Sequence, residues 1–351
     1  MKIKVLKFGG SSVGSIEAIK RSSSIVIDWS KKYKLVVVLS AMYGETDRLI
    51  NLTQSLSKSP NLRDLDIALS SGETVSCALM SIFLNSKKIK SKSVLGWQIP
   101  IHTSSEHTKA RILSINNEKI INDLEQYDIL IVPGFQGVDK NFNITTLGRG
   151  GSDTSAVAIA ASLNSECIIY TDVEGVFTTD PNLVPDAKKI SKISYEEMLE
   201  LASQGAKVLQ TRSVELAMRK KTKLSVRSSI KPKSSGTIIT DELKLLENNT
   251  ISGIAYAKNE AKITLSKVLD KPGISSKIFG PLAKGSINVD MILQNVSQDG
   301  KYANLSFTLP RIDIDKALQI LKKEKKNIGY QKINHSIDIA KISVVGVGMR
   351  S

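Results

Sequence analysis

The chain has 351 residues, of which 41% are hydrophobic and 24% charged, the balance of a folded globular protein rather than a disordered or fibrous one. Its cysteines, Cys77 and Cys167, have no spacing partner, and His102, His107 and His335 make no ligand pattern, which excludes a disulfide framework and a structural zinc site and fits a reducing cytoplasm. The net charge of +15 comes from 49 basic against 34 acidic residues, mostly lysines scattered without aromatic interleaving, so it reads as solvated surface that attracts anionic substrates, and no nucleic-acid partner is expected.

No uninterrupted apolar run approaches the ~18 residues of a membrane span, so no membrane partner is expected. The first residues are strand-like and charged, unlike a signal or transit peptide. Residues 4–8 read as a strand, followed by Gly9-Gly10-Ser11-Ser12-Val13-Gly14 and a helix over 15–30. Gly9 and Gly14 have the separation of a Walker A loop, but Ser15 stands where that motif needs lysine. The available lysine is Lys7, on the strand before the turn. Residues 35–39 form a continuous apolar strand, as in a parallel sheet covered on both faces. It ends in Ser40-Ala41-Met42-Tyr43-Gly44-Glu45-Thr46.

Helices are predicted near 47–57 and 63–86, the second interrupted by Ser70-Ser71-Gly72-Glu73-Thr74. A helix at 116–126, strands at 129–132 and 167–170, helices at 152–163 and 195–219 and a strand at 237–240 follow. A charged helix or linker is expected to reach about 249. Strands alternating with helices define a layered α/β domain, with ligand expected at the C-terminal strand ends.

The most informative segment is Gly148-Arg149-Gly150-Gly151-Ser152-Asp153-Thr154, which runs into an apolar helix. Ser152, Asp153 or Thr154 is expected to cap that helix. A glycine-rich turn feeding a helix start aims N–H groups and a positive dipole end at an anion, phosphate above all. Arg149 adds a planar fork suited to carboxylate or phosphate. After residue 170 come Thr171-Asp172-Val173-Glu174-Gly175 and Val176-Phe177-Thr178-Thr179-Asp180-Pro181, two acidic turns fit to meet a ribose, a base edge or Mg²⁺. Gln204-Gly205-Ala206-Lys207 places a further lysine near a helix start.

Beyond a polar Pro/Gly stretch at 228–236 the rhythm changes. Strand 261–267, helix 273–284, strands 288–295 and 302–309, helix 313–326 and strand 329–334 give βαββαβ, the ferredoxin-like pattern. Strands at 251–257 and 338–345 flank it. The division expected is 1–240 and 250–351, with the βαββαβ unit at about 261–335.

Taken together, Lys7-Phe8-Gly9-Gly10-Ser11-Ser12, Val38-Leu39-Ser40-Ala41-Met42, Ser71-Gly72-Glu73, Pro133-Gly134-Phe135-Gln136-Gly137, the 146–154 segment, the 170–176 segment and Asn288-Val289-Asp290-Met291 resemble the aspartate kinase family of the amino-acid kinase superfamily. The resemblance covers essentially the whole chain in order. It implies an amino-acid-kinase-type layered α/β domain followed by an ACT regulatory region, and ATP-dependent phosphorylation of the β-carboxylate of L-aspartate, with Mg²⁺. By that resemblance Lys7, Asp153 and Lys207 are catalytic, with Asp153 orienting the lysines or binding metal. Thr46, Glu73, Arg149, Gly150, Gly151 and Ser152 take aspartate, Arg149 holding its α-carboxylate and Glu73 its α-ammonium. ATP falls to Lys7, Phe8, Gly9, Gly10, Ser40, Thr171, Asp172, Lys207 and the turn Phe177, Thr178, Thr179, Asp180, Pro181 and Asn182. An amino-acid effector, lysine and/or threonine, falls to Asp270, Lys271, Pro272, Gly273, Ile274 and Ser275 with Asn288, Val289 and Asp290, in a homo-oligomer joined through the ACT region. Relatives carry a second ACT unit, of which this sequence shows a fragment. The alternative is a catalytically impaired, amino-acid-sensing regulatory subunit of the same family.

Overall fold

The computed structural model describes residues 2–206, 208–241, 251–297 and 300–346. Lys207 and the expected linker to about 249 lie outside the described residues. Contacts divide the chain into one unit of residues 1–254 and 344–351 and a second of 255–343.

The first unit starts with β1 (Ile3–Phe8), α1 (Ile16–Ser30) and β2 (Lys34–Leu39). Then come α2 (Glu45–Leu56), α3 (Leu62–Ser86) and the short β3 (Ser91–Ser93), β4 (Ile101–Thr103) and β5 (Ile112–Ile115). Next are α4 (Asn117–Gln126), β6 (Ile129–Pro133), β7 (Gln136–Val138), β8 (Ile144–Thr146) and α5 (Gly151–Ser162). The unit continues with β9 (Glu166–Thr171), β10 (Lys192–Ser194), α6 (Tyr195–Ser203), α7 (Thr211–Lys220), β11 (Leu224–Ser228) and β12 (Thr237–Thr240).

Eight strands make one sheet in the order β10-β12-β11-β9-β1-β2-β6-β3. β1 lies between β2 and β9, parallel to both, so the chain leaves its centre in both directions. That is the topological switch point at which open α/β sheets bind ligand. A four-stranded sheet, β5-β4-β7-β8, carries the turn into α5.

Strand alternation sorts the core. Leu6, Phe8, Leu35, Val37, Leu39 and Tyr170 join α1 and α3 residues in one buried cluster. Lys7, being odd, points to the opposite face, where α5 packs across β1, β2 and β9. Residues 151–160 of α5 are all buried, as their small apolar composition predicts.

Three sequence expectations change in the first unit. The serine- and glycine-containing run of 70–74 does not interrupt α3, because the Ser70, Ser71, Thr74 and Ser76 hydroxyls bond back to carbonyls of the preceding turn. The helix expected over 195–219 is two, ended after Ser203 where Gly205 turns left-handed at φ 115°. The start of α5 is not capped by Ser152, Asp153 or Thr154; Gly150, at φ 71°, is the N-cap, and the three lie inside the first turn.

α3 is also long and apolar enough to cross a membrane by length and composition, although its sequence has no uninterrupted apolar run. Half of its most apolar window is buried in the unit, and two of its buried residues are Asp66 and Glu73, as suits a core helix.

The second unit is built from all but the first two residues of β13 (Gly253–Leu269), α8 (Ile274–Lys284), β14 (Ile292–Val296), β15 (Tyr302–Pro310), α9 (Ile314–Lys323), α10 (Lys325–Ile328) and all but the last two residues of β16 (Lys332–Val345). The sheet order β14-β15-β13-β16 is that of a ferredoxin-like βαββαβ fold. Flanking strands read separately at 251–257 and 338–345 are continuous with β13 and β16. Neither 258–260 nor 335–337 contains a glycine or proline to break an extended chain.

Candidate active site

A cavity of about 590 Å³ opens at the C-terminal ends of β1 and β2. It brings together Lys7, Gly10, Ser40, Thr46, Glu73, Arg149, Gly150, Gly151, Ser152 and Asp153. They come from four segments spread over 147 positions (7 to 153), and three physical features gather them.

The first is the parity of β1, which sends Lys7 under the start of α5. Its ammonium lies 2.6 Å from Asp153 Oδ1, and both side chains are 11% exposed. The contact is a buried charge pair. The other carboxylate oxygen of Asp153 accepts from the Gln210 N–H at 3.3 Å.

The second is Gly72. A Cβ there would come within 2.9 Å of Ala41 Cβ, so only glycine lets α3 approach the end of β2 this closely. The next residue, Glu73, accepts from the Ala41 N–H at 3.2 Å through Oε1, while Oε2 is buried without a hydrogen-bond partner. Burial raises the Glu73 carboxyl to about 8, against the opposing pull of the backbone N–H bonds. A buried acceptor left open beside a cavity is a place for a cation.

The third is the left-handed Gly150, packed 2.9 Å (measured to an ideal Cβ) from the Gln210 side chain. It turns the chain sharply enough to leave Arg149 on the rim, its carbonyl held by Gln210 Nε2 at 2.9 Å. The guanidinium is 90% exposed and touches Asp47 at 3.2 Å. Gly151 N–H is used inside the turn, donating to Gly148 at 3.0 Å, and Gly9 N–H donates to Tyr170 at 3.4 Å.

Several expected residues lie elsewhere. The Phe8 side chain is fully buried and stacked on Tyr170, with centroids 4.8 Å apart and planes at 6°, because its parity is opposite to that of Lys7. Thr171 ends β9, and Asp172 and Phe177, Thr178, Thr179, Asp180, Pro181 and Asn182 follow it, outside the lining of this cavity. Asp180 Oδ1 accepts from Asn182 N–H there.

Sequence reasoning missed Asp47, Thr108 and Thr146, and an apolar flank of Ile50, Leu62, Leu65 and Leu69. Asp47 was open to discovery as the neighbour of Thr46, and Thr146 as the first residue of the 146–154 segment; Thr108 has no local signal, since its loop reaches the cavity only through tertiary contacts.

In the second unit, Gly273 at φ 87° is the N-cap of α8. Ile274 is buried in the core and Val289 packs against it. Lys271, Pro272, Ser275 and Asn288 are exposed. Asp270 accepts from Gln294 Nε2 at 3.0 Å, and Asp290 pairs with Lys341.

Residues 2–228 match the family model of the amino acid kinase family, and residues 266–324 that of the ACT domain. An aspartate kinase of Pseudomonas fluorescens is 49% identical over 360 residues, covering 100% of this chain and 86% of that protein. Aspartokinase 2 of Bacillus subtilis is 42% identical over 353 residues, with 100% and 86% covered. The solved structure of E. coli aspartokinase III in complex with aspartate and ADP superimposes with a TM-score of 0.81 at 25% identity, covering 98% of this chain and 88% of that one. The chain belongs to the amino acid kinase family and, within it, to the aspartate kinases.

Proposed function

We propose that this cavity transfers the γ-phosphoryl group of ATP to the β-carboxylate of L-aspartate, giving 4-phospho-L-aspartate for amino-acid biosynthesis in the cytoplasm. The observation that carries the reading is the joining, in one pocket at the switch point, of a buried Lys7–Asp153 pair, a buried Glu73 with an open acceptor and an Arg149 fork.

A side-chain carboxylate of ordinary pKa, about 4, is already ionised at neutral pH, so the acceptor needs no general base. The obstacle is charge: an anion must approach an anionic phosphate. Catalysis is then positioning and neutralisation. Lys7 supplies the fixed positive charge, and Asp153 fixes where it points. Glu73 Oε2 takes the α-ammonium and Arg149 the α-carboxylate, which leaves the β-carboxylate directed toward Lys7. Thr46, Ser152 and the Gly150–Gly151 turn complete the aspartate side. Gly9, Gly10, Ser40, Thr171, Asp172 and the 177–182 turn hold the nucleotide, with Lys207 a second cation.

Among the described residues no three His, Cys, Asp or Glu side chains cluster into a metal cage. The donor set fits magnesium in the form it takes on a nucleotide, held by phosphate oxygens and one or two carboxylates, with Asp153 the candidate. Bound there it would spread the phosphate charge.

In the ferredoxin-like unit, an amino-acid effector, lysine or threonine, would set its ammonium against Asp270 and Asp290, displacing Lys341. The start of α8, from Lys271 to Ser275, would take its carboxylate, beside Asn288 and Val289. The same unit would join protomers into a homo-oligomer.

The deciding experiment incubates the protein with ATP, Mg²⁺ and L-aspartate and traps the acyl phosphate as a hydroxamate. Hydroxamate is expected with aspartate and not with glutamate. None from protein that unfolds cooperatively would overturn the reading.

A further inference from the structure

Asp66 lies on α3 seven residues before Glu73, two helical turns away on the same face. It is fully buried, and among the described residues no lysine or arginine pairs with it. Its carboxylate gathers four donor contacts from two segments distant in sequence. Thr108 N–H lies 3.1 Å from each oxygen, Thr146 Oγ1 donates to Oδ1 at 2.5 Å, and His107 Nδ1 lies 2.8 Å from Oδ2. The His107 side chain is 17% exposed, so one edge of the ring reaches solvent.

A buried carboxylate so fully bonded costs desolvation that a neutral residue would avoid, and its return is geometric. Thr108 and Thr146 both line the cavity. Thr146 ends β8, and two residues on begins the turn bearing Arg149. That turn packs on the same loop: a Cβ at Gly148 would lie 3.1 Å from the Thr108 carbonyl oxygen. Ala110 N–H donates to the Thr146 carbonyl at 2.9 Å, and Arg212 holds the Leu147 carbonyl at 2.8 Å.

We propose that Asp66 and His107 are positioning residues for aspartate: the carboxylate ties loop 107–108 and Thr146 to α3, and so fixes the Arg149 turn at a set distance from Glu73. His107 fills the outer oxygen of Asp66 and holds that carboxylate in place. The inference rests on the reading of Glu73 and Arg149 as the two grips on aspartate.

The test compares wild type, Asp66→Asn, His107→Ala and Thr146→Val in the hydroxamate assay, with aspartate and ATP varied separately. Misplacing a binding group without removing it is expected to raise the KM for aspartate about tenfold in Asp66→Asn and less in the other two. The KM for ATP stays within about twofold, and kcat falls less than aspartate KM rises. Thr146→Val removes one hydroxyl at constant shape, so its effect does not depend on a variant that fails to fold. Adding Arg149→Ala to Asp66→Asn should then cost little more than Arg149→Ala alone, since both act on one grip. Variants that lower the melting temperature with aspartate KM unchanged, or that move both KM values equally, overturn the inference while leaving the catalytic reading intact. A folded wild type that makes no hydroxamate overturns both.

Discussion

Glu73→Gln isolates one proton. In the free protein burial holds the Glu73 carboxyl at about 8, so near neutrality it is mostly protonated, yet it must be ionised to receive the substrate ammonium. Ionising it at pH 7, about one unit below that value, costs roughly 1 kcal/mol, on the order of tenfold in aspartate affinity. Wild-type affinity for aspartate should therefore improve about tenfold from pH 6 to pH 7, by somewhat less from 7 to 8, and level off above. Glutamine has no such proton, so the variant should bind weakly and without that slope. Stability moves the other way. Because the folded pKa stands above the ordinary 4.5, the native state holds a proton that the unfolded chain releases between pH 4.5 and 8, and stability falls as pH rises through that window. The loss by pH 7 is about 3 kcal/mol, and Glu73→Gln should escape it, melting higher than wild type at pH 8. Calorimetric titration with aspartate from pH 6 to 9, and melting curves over the same range, measure both. A wild-type affinity that is flat with pH, or a glutamine variant with the wild-type slope, would refute the assignment.

Lys7→Ala should lower kcat by about a hundredfold or more with little change in aspartate KM. It also leaves Asp153 buried without its counter-charge, so the melting temperature falls too. Arg149→Ala should raise aspartate KM by about ten- to a hundredfold, the loss of a charge-assisted contact, and leave the melting temperature almost unchanged, because the Asp47 pair is exposed. Phe8→Ala should cost about 3–5 kcal/mol in denaturant unfolding while the folded enzyme keeps its KM for ATP, since the ring is packed against Tyr170. Titration of activity with lysine and threonine, singly and together, should show inhibition that Asp270→Ala weakens; indifference to both would dispose of the proposed effector site.

The site was legible where chemistry is written locally. Lys7 before a diglycine, Glu73 beside Gly72, and Arg149 among three glycines each declare a charge beside a bend, and the structure gathers all three around one cavity. What depended on pairing was not legible. Phe8 stands next to Lys7 in sequence but on the other face of the strand, and only the sheet decides which face meets α5. Asp66, His107 and Thr146 meet through tertiary contacts across 41 and 80 positions, which no periodicity reveals. The alternating βαβ rhythm and the βαββαβ pattern survive because each helix and buried strand has its own apolar spacing. The short strands β3, β4, β5, β7 and β8 were missed, having three or four residues each and too few alternations to register.

The parity of β1 has a further consequence. If this strand slipped by one residue against β2 and β9, the ammonium would enter the layer of aromatic rings and a phenyl group would face Asp153. Hydrogen bonding would be satisfied in either alignment; the side chains alone distinguish them. The enzyme's working charge is thus created by the same event that closes the core, so unfolding should extinguish activity in step with the sheet and leave no partly ordered species able to turn over.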